Sequence, residues 1–194
     1  MKSLTRWAPP FLILICLPAL AQAHVGVGET SGFGYGFFHP LTGLDHICAM
    51  IAVGLWAAQL GGRALWLVPL TFVVVMALGA LLGASGVVVP FVEQGILASV
   101  FVLGLLIVTA LRVPLAASVV LVAIFAIFHG HAHGAEMGET FSGVLYGAGF
   151  LIATMLLHLG GIGLGILFER TAGARAVRCA GAVILGFGIF LIVS

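Results

Sequence analysis

Residues 63–84, RALWLVPLTFVVVMALGALLGA, decide the fold. One arginine opens the stretch, and about 20 uncharged, mostly apolar residues follow, which is the length an α-helix needs to cross a hydrocarbon core. Working outward, runs of the same character cover 38–60, 91–111, 113–133, 140–168 and 176–193. The breaks between them carry Gly61-Gly62-Arg63, Ser85-Gly86 with Pro90, Arg112-Val113-Pro114, the Gly/His segment 130–138, and the polar stretch from Glu169 to Arg178. The whole chain agrees: of 194 residues, 62% are hydrophobic and 7% charged, and the mean hydropathy is +1.31. A soluble domain carries about 25% charged residues and has too little interior for so many apolar side chains. Soluble globular, disordered and coiled-coil classes are excluded. The net charge of +1 offers no basic face for nucleic acid. The fold class expected is all-α: a polytopic membrane protein with six transmembrane helices after an N-terminal signal peptide.

The signal reading rests on Lys2 and Arg6, the apolar run FLILICLPAL at 11–20, and Ala21-Gln22-Ala23 as a cleavage site. It divides the chain into a signal peptide, 1–23, and a six-helix domain, 24–194. The alternative is an uncleaved first helix. With the mature chain starting outside at His24, the first, third and fifth connections face the cytoplasm. They hold Arg63, Arg112, Arg170, Arg175 and Arg178, which is every basic residue after the signal. The outer segments hold Glu29, Glu93, Glu136 and Glu139. Positive residues stay on the cytoplasmic side, so both mature termini are expected outside. Cys16, Cys48 and Cys179 form no CxxC pair, and no disulfide is expected.

Six of the seven histidines fall in two groups near the outer face, His24 counted with the first. HPLTGLDHICAM carries His39, Asp45 and His46. FHGHAHGAEMGE carries His129, His131, His133 and Glu136. His24 belongs to the outer segment, and His158 stands alone in the fifth run. Ionisable residues within a bilayer are costly and line pathways or sites. His129 and His133 are four apart and Glu136 three further, so a helix puts all three on one stripe. His131 points away from that stripe, which favours either no functional role or a loop role. Pro40 fits the first turn of the first helix, with His39 capping it. On a straight helix His46 then lies about 10 Å deeper than His39, too far for one ion to bind both, which makes them successive stations. His158, deeper still, reads either as a later station or as a buried histidine bonded to backbone. Cys48, Met50, Trp56, Trp66 and Tyr146 read as packing or interface residues. Imidazole with carboxylate suits Ni, Co, Zn or Cu(II) better than Mg or Ca. Gly130, Gly134 and Gly138 recur every fourth residue and allow close helix approach or local unwinding. No GxxxxGK[ST] segment occurs, so the chain does not hydrolyse ATP by a P-loop.

The two motifs resemble the signatures of the HupE/UreJ family of nickel/cobalt permeases. His39, Asp45 and His46 match its His, five residues, Asp-His pattern. Phe128, His129, Gly130, His133, Gly134 and Glu136 match its Phe-His-Gly-x-x-His-Gly-x-Glu pattern. The resemblance implies a non-enzymatic permease of the bacterial cytoplasmic membrane that imports Ni²⁺, sometimes Co²⁺, for hydrogenase or urease maturation. The metal is then cargo and no cofactor is bound permanently; the ligand set is His39, Asp45, His46, His129, His133 and Glu136, with His24, His131 and His158 secondary. A different class competes: Gly83-Ala84-Ser85-Gly86 and His158-Leu159-Gly160-Gly161 look superficially like the Ser and His motifs of rhomboid proteases. A metal-binding accessory protein without transport is a third. The HExxH motif of membrane metalloproteases is absent. The sequence leaves the oligomeric state open.

Overall fold

The computed structural model describes residues 32–136 and 141–193. The signal peptide, His24, Glu29, Gly138 and Glu139 lie outside the described residues. Every regular element among those described is helical: α1 (Phe33–Phe38), a 3₁₀ turn (His39–Leu41), α2 (Leu44–Leu60), α3 (Ala64–Ala84), α4 (Val92–Thr109), α5 (Leu115–Ala135), α6 (Phe141–Ala172) and α7 (Ala174–Val193). Helices α3 to α7 are each long and apolar enough to cross a membrane; α2 qualifies only together with α1 and the 3₁₀ turn, from which it is bent by 82°. Apolar side chains both fill the interior, as Met50, Trp56 and Phe72 do, and cover the outer surface. Leu78, Leu81, Val120, Leu156 and Val183 face outward, while Ser99, Ser118, His129, His133, Thr154 and His158 are buried.

The straight first helix expected over 38–60 is corrected by that bend. Pro40 supplies no N–H to a ladder running back into α1. The Thr42 hydroxyl donates to the His39 carbonyl at 2.7 Å and closes the 3₁₀ turn. Gly43 is extended, with φ −96° and ψ 117°, and α2 starts afresh behind it. The break expected between Glu169 and Arg178 is also narrower: α6 continues to Ala172, and Gly173 alone, at φ +75°, separates it from α7.

Small residues set how closely the helices pack. Gly79 and Gly83 of α3 face Gly130 and Gly134 of α5 in a parallel pair. A Cβ on Gly130 would collide with the Met76 carbonyl, and one on Gly134 with that of Ala80. Without those Cβ atoms the two backbones touch, the favoured contact where lipid competes equally for apolar side chains. Gly54 of α2 and Gly161 of α6 do the same for the parallel α2–α6 pair, as Gly104, Gly181 and Gly188 do for the antiparallel α4–α7 pair. The segment around His129 is therefore a tightly packed helix and is not unwound.

The bundle has two unlike ends. Arg63 and Arg112 line one cavity with Leu60 and Leu115. The Arg178 Nε donates to the Val108 carbonyl at 2.7 Å, beside Arg112. Arg170 and Arg175 flank the α6–α7 junction at this same basic end. The start of α2 and the end of α5 meet at the opposite, histidine end, as the alternation of arginines requires.

Candidate metal centre

The 82° bend folds His39 back over the start of α2, so that it joins the residues at the end of α5. His39 Nε2 lies 3.2 Å from Glu136 Oε2, and its ring stands edge-on to His133 at 4.9 Å between centroids. One ligand atom each from His39, His133 and Glu136 lie within 4.8 Å of one another. This corrects the expectation that His39 is a separate station two turns outside. Glu136 faces His39 and His133, the latter at 3.8 Å from Nδ1. The imidazoles of His133 and His39 hold its carboxyl well below the usual carboxylate range. The Glu136 side chain is 58% exposed, that of His39 24% and that of His133 6%. The trio thus opens to the surface of the histidine end at Glu136 and closes at His133.

The hydrogen bonds below it assign the ring protons. Asp45 Oδ1 accepts from the His46 backbone N–H at 2.9 Å and from His46 Nδ1 at 3.0 Å. A side chain at Gly43 would sit 2.7 Å from that same oxygen, so glycine leaves room for the pair. With Nδ1 donating, neutral His46 has its lone pair on Nε2. His133 Nε2 lies 2.6 Å away, so the two ring nitrogens share one proton between them. His133 Nδ1 faces Glu136 Oε2 at 3.8 Å and has no hydrogen-bond partner.

A second relay ends the same way. Ser99 of α4 has one hydroxyl hydrogen, and it goes to the Ile96 carbonyl at 2.6 Å. Its oxygen is left to accept from His129 Nε2 at 3.0 Å. The fully buried His129 therefore keeps its lone pair on Nδ1, which no donor meets. The His129 ring lies 5.1 Å from that of His46. Metal-binding histidines characteristically hold one nitrogen in such a hydrogen bond and present the other.

All six primary candidates, His39, Asp45, His46, His129, His133 and Glu136, fall in this one network. His131 does not: its Nε2 donates to the Val87 carbonyl at 2.6 Å and ties α5 to the α3–α4 connection. His158 lies apart, deeper in the bundle. Ser85 caps the histidine end of α3, its hydroxyl spent on the Leu82 carbonyl. Phe72, which touches His158, is thirteen residues back along α3, about 20 Å. Ser85 and His158 thus form no dyad. Three participants were not read from the sequence as site residues: Ser99, Tyr146 and Phe150. The Phe150 ring packs on His133 at 4.1 Å and Tyr146 on His39 at 5.8 Å. In an apolar helix a serine or phenylalanine carries no signal of its own.

Membrane-length helices enclosing imidazoles and carboxylates at one depth define a multi-pass membrane protein with a polar centre open to one face. The family description "HupE / UreJ protein" matches residues 12–191. The chain belongs to the HupE/UreJ family. It is 45% identical over 183 residues to Protein HupE of Rhizobium leguminosarum bv. viciae, covering 94% of this chain and 95% of that protein. No solved structure matches.

Proposed function

We propose that this protein carries a divalent transition-metal ion, Ni²⁺ first and Co²⁺ second, across the cytoplasmic membrane from its histidine end to its basic end, for use in hydrogenase or urease maturation. The observation that carries the reading is the His39, His133 and Glu136 trio, with ligand atoms within 4.8 Å of one another. Glu136 meets the hydrated ion first, and His39 and His133 replace its water. His46 and His129 form the next pair of ligands, with Asp45 supplying charge beside them. The borderline nitrogen and oxygen donors suit Ni²⁺ and Co²⁺ and lack the thiolates that Cu(I) prefers. The positive-inside rule puts the basic end in the cytoplasm. The membrane potential supplies about 4.6 kcal/mol per 100 mV for a divalent ion, twice the ~2.3 of a single charge.

The test is metal uptake by cells expressing the chain, with Ni²⁺, Co²⁺, Zn²⁺ and Cu²⁺ in competition. Nickel accumulation, competed best by cobalt and abolished by His133→Ala in protein that still reaches the membrane, is the expected result. Normal accumulation by His133→Ala at limiting nickel refutes the reading.

A further inference from the structure

Below the outer cluster lies a histidine that the proposed outer site does not use. His158 of α6 is fully buried, and neither of its ring nitrogens has a hydrogen-bond partner. A neutral imidazole has one N–H and one lone pair, and each left unmet in a buried place costs about 1–3 kcal/mol. A purely structural histidine would bond a backbone carbonyl, as His131 does with Val87. Thr154, one turn earlier on the same face of α6, is also fully buried, and its hydroxyl is unpartnered.

These groups lie on a line with the outer site. The Phe72 ring stands edge-on to His158 at 5.1 Å, and it also meets His129 at 5.5 Å. Phe72 is thus the partition between the two histidines. Pro69, three residues before it within α3, has no N–H to give to the helical ladder. Further on, α2 buries two more unpartnered atoms, Trp56 Nε1 and Gln59 Oε1. Gly54 of α2 abuts the His158 carbonyl, which puts Trp56 about 3 Å and Gln59 about 7.5 Å nearer the basic end. The Gln59 amide nitrogen donates to the Ile107 carbonyl at the end of α4. Unsatisfied polar atoms therefore mark a track through the bundle, and His158 is its strongest metal ligand below Phe72.

We propose that His158 is a second, inner metal-binding station, with the Thr154 hydroxyl beside it, separated from the outer site by Phe72. It takes the same divalent transition metal, and in this it rests on the transport reading. The test uses the purified full-length chain with Ni²⁺ alone: equilibrium dialysis counts bound ions, and proteoliposomes measure uptake. His158→Gln and His158→Ala should each bind one nickel ion fewer per chain than wild type at saturation. Both should keep the outer-site affinity and lose uptake by about tenfold or more. His158→Cys, which restores a ligand atom, should recover the wild-type ion count. An unchanged ion count in His158→Gln, or loss of outer-site affinity in it, overturns the inner station. Failure of the transport reading looks different: wild type then takes up no nickel, while the ion count still tests His158.

Discussion

Ser99→Ala tests whether the ring protons are where the hydrogen bonds put them. The Ser99 hydroxyl hydrogen goes to Ile96, so its oxygen accepts the His129 Nε2 proton. Alanine removes that acceptor in a position with no exposed surface. The Nε2–H is then left unpaired, at about 1–3 kcal/mol. Moving the proton to Nδ1 escapes the cost only by filling the lone pair that would bind metal, because Nδ1 has no partner either. Either way His129 becomes a poorer ligand. The expected loss is about 10–100-fold in nickel affinity, the range for residues that orient a metal ligand, equivalent to about 1.4–2.8 kcal/mol. The assay is the KM of nickel uptake, with equilibrium dialysis on purified protein. Ser118→Ala is the control. Ser118 is equally buried, but its hydroxyl bonds only the Val113 and Pro114 carbonyls, so its nickel affinity should match wild type. A wild-type KM in Ser99→Ala, or equal losses in both variants, refutes the assignment.

Three further outcomes follow from the geometry. His39→Ala should reduce nickel uptake as severely as His133→Ala, because His39 lies 3.2 Å from Glu136 in the same trio; an effect confined to low nickel in a concentration series would restore the picture of separate stations. Gly134→Ala should lower thermal stability in detergent by about 1–3 kcal/mol through overpacking against the Ala80 carbonyl, whereas Gly163→Ala, with open space around it, should not. Glu136 has its carboxyl held below the usual range, so it keeps its charge as pH falls through that range and loses it only below. Glu136→Gln should therefore weaken nickel binding by a constant factor between about pH 5 and 8; a ratio to wild type that changes across that window, read by equilibrium dialysis, counts against it.

The span pattern was legible because lipid imposes it directly. Run length fixes where a helix can cross, and the alternation of Arg63, Arg112 and Arg170 fixes which connections share an end. The bend at 42–43 was not legible by the same logic. Its two causes, Pro40 and Gly43, sit at the head of an apolar run long enough to be a whole span, and a proline at a helix start is ordinarily harmless. Only the packing of α1 on α6, where Gly36 abuts Tyr146 and Gly149 abuts Phe33, rewards the turn. The α6–α7 boundary was misplaced for a related reason. Glu169 and Arg170 read as loop residues, yet a helix leaving the membrane carries charges easily and ends where Gly173 takes up a positive φ.

The site's residue types and depth were legible from spacing, since His129, His133 and Glu136 share a stripe whatever surrounds them. Which atoms face the ion was not, because ring protons depend on partners distant in sequence, such as Ser99, thirty residues away from His129. The cluster holds two carboxylates, Asp45 at one edge and Glu136 at the other, and among the described residues no arginine or lysine lies near them. A divalent cation matches two carboxylates, so the loaded site approaches neutrality, and neutrality lowers the cost of charge at this depth. A monovalent ion leaves one carboxylate uncompensated, and a hard divalent ion gains little from imidazole nitrogens. On the transport reading proposed above, histidine selects the kind of metal and the carboxylates select its charge, and the 82° bend serves both, because it brings His39 to Glu136 and lets α2 begin with Asp45 and His46.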